Sequence, residues 1–136
     1  MSNPLFNLKQ VAQIPYGSDW DLEFKFYKPD AANDDAANAI GIAAGDDVRF
    51  RLWKTDAAAA DVTITESSNS PNGSTLTINE DGTTGTIPAR VTVDLDGDDT
   101  KFSGIYKFIV DVKDASDSNR YFPACYGTIN FVGGPA

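Results

Sequence analysis

The chain has 136 residues, 20 of them acidic and 11 basic, with a formal net charge of -9. That length suits one domain with a single core, and that charge opposes docking on nucleic acid or on anionic membrane. Histidine is absent and cysteine occurs once, at Cys125, which excludes Ser-His and Cys-His catalysis, histidine metal ligation and an intramolecular disulfide.

The N-terminal segment, Leu5 to Ile14, mixes apolar and amide residues and ends at the turn signal Pro15, Tyr16, Gly17. It reads as an N-terminal arm or edge strand over residues 1–14, preceding one sandwich domain over 15–136. The first ten residues lack the basic region and apolar run of a secretion signal, so synthesis in a cytoplasm is expected. From Asp19 to Lys28, Trp20, Leu22, Phe24 and Phe26 alternate with charged residues, the period of a strand with one buried face. Pro29 and Asp30 end it. The acidic, alanine-rich stretch that follows has too few large apolar side chains to cover a helix face, and reads as a surface loop held by Ile40 and Ile42.

Val48, Phe50 and Leu52 then alternate with Arg49, Arg51 and Trp53, so the third strand turns a basic, aromatic face outward in an acidic chain. Two readings stand for that face. It is either a binding surface, because arginine and aromatic side chains dominate interface cores, or an outward sheet face neutralised by acidic cross-strand neighbours. Val62 with Ile64, and Leu76 with Ile78, mark two short strands, and Asn72-Gly73 between them is a hairpin signal. Ala89, Val91, Val93 and Leu95 mark the next strand, closed by Asp96, Gly97 and Asp98.

The run Asp94 to Asp99 is the best calcium candidate, since that ion takes several carboxylate oxygens from one tight loop. Its glycine falls too early for an EF-hand, and Ile105 stands where the bidentate glutamate belongs. It therefore reads as a turn whose aspartates bond locally. No metal, no cofactor and no enzyme activity is expected.

Gly104 to Val112 carries the cleanest alternation, with Tyr106, Phe108, Val110 and Val112 on one face and Ile105, Lys107, Ile109 and Asp111 on the other. Tyr106 stands where the tyrosine corner of an immunoglobulin-like sandwich would, its hydroxyl reaching back to upstream backbone, with Phe108 in the place of the second cysteine. Tyr121 to Val132 forms a last strand bent near Pro123, with Gly127, Ile129 and Phe131 on one face and Cys125 as a small buried hydrophobe. The sum is an all-β, immunoglobulin-like antiparallel β-sandwich of about eight strands.

Strand pattern and turn glycines together resemble the small immunoglobulin-like virion domains typified by the N-terminal domain of the siphophage baseplate upper protein. The resemblance runs from Ile14, Gly17 and Asp19 into LEFKF (Leu22 to Phe26), through DVRFRL (Asp47 to Leu52) and RVTVDL (Arg90 to Leu95). It continues through Asp99, Thr100 and SGIYKFIVDV to GTINFV (Gly127 to Val132). It implies a non-enzymatic bacteriophage structural protein, made in the host cytoplasm and located in the virion. Its place would be on a tail or baseplate, neck or capsid surface. Its partners would be other phage structural proteins, with no nucleic acid and no membrane among them, and it would stand as a homo-oligomer or in symmetric copies. In baseplate upper proteins a long receptor-bearing segment follows this domain, whereas this sequence stops at Ala136, so a narrower docking role is expected. The candidate partner-binding residues are Leu5, Phe6 and Leu8 in the arm and Arg49, Arg51 and Trp53 on the basic face. The alternative function is a carbohydrate-binding module for host adhesion, with Trp53, Tyr27 and Tyr16 as stacking platforms.

Overall fold

A computed structural model describes residues 13–28, 35–54, 57, 59–116 and 120–134. The arm residues Leu5, Phe6 and Leu8 lie outside the described residues. Eight strands are formed among those described: β1 (Gln13–Pro15), β2 (Trp20–Lys25), β3 (Asp47–Lys54), β4 (Val62–Thr65), β5 (Thr75–Glu80), β6 (Arg90–Leu95), β7 (Gly104–Asp114) and β8 (Arg120–Val132). Helical geometry among these residues is confined to single 3-10 turns at Ala36–Asn38 and Gly97–Asp99.

The strands make two packed sheets, ordered β1-β8-β7-β3-β4 and β2-β6-β5. With β2, β6 and β5 in the places of B, E and D, and β3, β7 and β8 in those of C, F and G, this is the strand order of an immunoglobulin-type sandwich, with β4 extending the larger sheet beside C. Among the described residues all strand pairings are antiparallel except one. β1 runs parallel to β8, with Gln13 opposite Asn130 and Pro15 opposite Val132, so the sandwich is not wholly antiparallel. Ile14 is fully buried on that strand. β1 lies at the edge of the larger sheet and spans the position between Ile14 and Pro15.

The period-two alternation becomes the core as the pleat requires. Leu22 and Phe24 of β2 and Val91, Val93 and Leu95 of β6 face Val48, Phe50 and Leu52 of β3 and Phe108, Val110 and Ile129 of β7 and β8. At the centre the rings of Phe24, Phe50 and Phe108 pack mutually, at centroid separations of 5.5 to 6.2 Å. They occupy strands B, C and F, where an antibody domain places its inter-sheet disulfide and tryptophan. Three rings thus do by packing what a disulfide does covalently, which suits a chain with one cysteine.

Several expectations are corrected. Trp20 is the first residue of β2 and is 38% exposed, lining a small cavity with Phe108 and Ile129 of the facing sheet rather than filling the core. Asn72-Gly73 does form a turn, closed by Gly73 N–H donating to the Ser70 carbonyl. It does not join a hairpin, because β4 belongs to the larger sheet and β5 to the smaller; turn chemistry is local and does not choose the sheet. Tyr106 packs its ring against Phe102 and Phe131, at 4.6 and 5.5 Å between centroids. Its hydroxyl makes no corner hydrogen bond among the described residues. Tyr106→Phe should accordingly change stability by less than about 0.5 kcal/mol in urea denaturation, well below the 0.5 to 1.5 kcal/mol of a formed bond.

Between β7 and β8 the register shifts: Val110 opposes Cys125 but Asp111 opposes Pro123, leaving Ala124 as an extra residue. Pro123 has no N–H to give the ladder, and a bulge is the usual accommodation. Ala124 and Cys125 are buried in succession, and across from them Asp111 is buried although it belongs to the outward face. That displacement sets the geometry of the site described next.

Candidate docking face

The outward surface of β3, β7 and β8 is built by register. Arg49 lies opposite Asp111, Arg51 opposite Ile109, Trp53 opposite Lys107 and Asp47 opposite Lys113. Asp111, 3% exposed, is the pin. Its Oδ1 accepts from Nε of Arg49 at 3.0 Å, and its Oδ2 accepts from Nη2 of Arg49 at 2.8 Å and Nη2 of Arg51 at 3.1 Å. The bidentate geometry is the strong form of this contact, and it fixes the plane of the Arg49 guanidinium. Hydrogen bonding to Asp111 raises the pKa of Arg49 above its already high ordinary value, so the charge is permanent.

Each cation is also laid on a ring. The Arg49 guanidinium carbon sits 3.5 Å from the centroid of Tyr121, with the Lys113 ammonium 5.9 Å from the same ring. Trp53 lies between Arg51 at 5.5 Å and the Lys107 ammonium at 4.8 Å. Cation and aromatic face attract electrostatically, and stacking limits the rotamers that binding would otherwise have to freeze. Arg49, Arg51 and Trp53 thus share one outward face, and both arginines pair with Asp111, the acidic neighbour on the adjacent strand. Sequence reading did not assign Lys107 and Tyr126 to the site, although their outward parity on β7 and β8 was the available signal; the outward setting of Tyr121 and the burial of Asp111 depend on the bulge at Ala124, which reverses parity along β8.

The face is positive within an acidic chain. Outward positions of β3 and β7 carry Arg49, Arg51, Lys107 and Lys113 against Asp47 and Asp111, and among the described residues Lys107 and Lys113 form no ion pair. It is also apolar in part: Ile105 is 57% exposed, and Tyr121 and Tyr126 are more than one third exposed. Between β7 and β8 a shallow, almost wholly apolar depression is lined by Lys107, Ile109, Pro123 and Tyr126 over Phe108 and Gly127.

The three sugar-stacking candidates do not converge. Tyr27 is 6% exposed and belongs to the core. Tyr16 lies against Gly134, beyond the ends of β1 and β8, so close that a Cβ on that glycine would meet its ring at 2.6 Å. Trp53 sits on the sheet face between two cations.

The carboxylates of the Asp94 to Asp99 run are dispersed to separate tasks. Asp96 caps the 3-10 turn by accepting from Asp98 N–H, Asp98 pairs with Lys101 at 2.8 Å, and Asp99 turns inward. Gly97 fits closely under Gly17, whose carbonyl oxygen would lie 2.5 Å from any added Cβ, and its N–H donates to Asp19 at 2.7 Å. Among the described residues no group of three or more acidic or cysteine side chains is arranged to hold a metal.

On the opposite sheet Asp94 stands directly across from Asp21. Hydrogen bonding with Asp21 holds the pKa of Asp94 above the usual carboxylate range, helped by partial desolvation and the neighbouring acids. A carboxyl with a raised folded-state pKa binds its proton more tightly folded than unfolded, so stability falls as pH rises through that range and then levels. Asp94→Asn should therefore raise the melting temperature at pH 7 and lose that advantage below the ordinary aspartate pKa, as read from melts across pH 3 to 7. Burial pushes the thiol of Cys125 well up, and its sulfur lies 3.6 Å from the Lys25 carbonyl oxygen, so it is an inert core group.

No helix among the described residues is long and apolar enough to cross a membrane. No family model matches the sequence, and no curated protein matches it.

Proposed function

We propose that the chain is a non-enzymatic structural protein of a bacteriophage virion, docking by protein-protein contacts on a tail or baseplate, neck or capsid surface. The observation that carries this reading is the outward face of β3, β7 and β8, where cations stacked on rings and pinned by Asp111 surround exposed apolar side chains. Charge with aromatic area on a pre-organised surface is the composition of a protein interface. The resemblance of the strand pattern to virion domains adds the setting, and the immunoglobulin-type strand order is compatible with it. Leu5, Phe6 and Leu8 supply a second contact in this reading. A carbohydrate-binding role has weaker support, because its three aromatic platforms are dispersed.

Quantitative mass spectrometry of purified particles is the test. The reading expects a fixed copy number per particle, and loss of the Lys107→Glu, Lys113→Glu double variant from particles while it stays folded in solution, since neither lysine holds an ion pair among the described residues. A chain absent from purified particles overturns it.

A further inference from the structure

The depression between β7 and β8 and the cations beside it define a more specific occupant, an inference that rests on the docking role proposed above. Lys107 forms one wall and has no ion-pair partner among the described residues. Arg51, across the ladder from Ile109, uses only Nη2 on Asp111; its Nε is enclosed, so the donors left to a ligand are those at the end of the guanidinium. Ile109, Pro123 and Tyr126 supply the apolar walls and Phe108 with Gly127 the floor. We infer that this depression is the anchor site for an acidic protein segment, which seats one apolar side chain over Phe108 and Gly127 and presents flanking carboxylates to Lys107 and Arg51.

Other occupants fit less well. A two-fold pairing of this face with a second copy would set Lys107 and Arg51 against their own like charges. The outward surface of β2 and β6 offers a second copy Asp21, Glu23, Lys25, Arg90, Thr92 and Asp94, polar throughout and with no apolar anchor for the depression. A nucleic acid or sulfated glycan carries no aliphatic side chain to seat in the apolar depression. A short acidic segment experiences mainly the local positive face, because charges beyond about 8 Å are screened at physiological salt.

The test uses the full chain and two fluorescein-labelled peptides, one with a central leucine pair flanked by four glutamates, the other with glutamines in their place. Anisotropy gives affinity and amide chemical shifts give location. The expected result is binding of the glutamate peptide at least tenfold tighter than the glutamine one, with shifts centred on Lys107, Ile109 and Tyr126. That binding should weaken at least tenfold in Lys107→Glu and in Ile109→Ser, both checked for native spectra, and stay unchanged in Lys25→Glu on the other sheet. Equal affinity for both peptides, equal or tighter binding of a heparin fragment or a DNA duplex, or a dimer by sedimentation that buries this face each overturns the inference. Failure of the peptide to bind a chain that is nonetheless found in particles overturns this site and leaves the structural role standing. Peptide binding at the depression by a chain absent from particles supports the site and removes the role.

Discussion

Phe108→Ala is expected to destabilise the domain by about 3 to 5 kcal/mol in urea denaturation, the cost of removing a buried aromatic ring and leaving its cavity. Phe108 is 2% exposed, and both Phe24 and Phe50 lean on it from two other strands, at 5.5 and 6.1 Å between centroids. The ring therefore bridges the sheets, since Phe24 belongs to the smaller one and Phe50 and Phe108 to the larger. Neither neighbour can collapse into the space without withdrawing from its own ladder, which places the cost toward the upper end. Phe108→Leu keeps most of the volume and should lose far less, about 1.5 kcal/mol or under. A double-mutant cycle between Phe24 and Phe108 should show a coupling of about 0.5 to 1.5 kcal/mol. A Phe108→Ala loss below about 1 kcal/mol would mean that the three rings are not the centre of the core.

The same residue shows why so much of the fold was legible. Tyr106, Phe108, Val110 and Val112 keep strict alternation for four inward positions, and Val48, Phe50 and Leu52 do so beside them, so parity alone separates core from surface. Parity also carried the site's first half, because Arg49, Arg51 and Trp53 had to face outward once Phe50 faced in. It could not give the second half. Asp111 is adjacent in sequence to two core valines, and whether it is solvated or buried depends on the bulge at Ala124 in another strand. Asn72-Gly73 was legible as a turn but not as a passage between sheets. Tyr106 matched a corner in position, yet Phe102 and Phe131 hold its ring and its hydroxyl finds no backbone acceptor among the described residues.

Asp99→Ala is the second large expected loss, about 2 to 4 kcal/mol, and its reason was invisible in the acidic run that contains it. Asp99 is 4% exposed, with Oδ2 accepting from the hydroxyl of Ser70 at 2.5 Å and from that of Ser74, and Oδ1 accepting from the side-chain amide of Asn72 at 2.9 Å. The two hydroxyls are also acceptors: Ser70 Oγ takes the Ser74 N–H at 3.0 Å and Ser74 Oγ takes the Asp96 N–H at 2.8 Å. One carboxylate thus closes a relay that clamps the passage from β4 to β5 onto the turn between β6 and β7, across 25 to 29 residues of chain. Hydrogen bonds to a charged acceptor contribute about 1.5 to 3 kcal/mol each, and relief of the buried carboxylate's desolvation offsets part of the three lost. Asp99→Asn separates the terms, because it keeps the shape but puts an NH2 where one acceptor oxygen stood. A hydroxyl that already donates would then face a second donor, so Asn should recover only part of the stability. If Asn instead matches the wild type while Ala does not, the cavity matters and the relay does not. Equal losses for both would place the effect in the pair of acceptor oxygens that neither Asn nor Ala supplies.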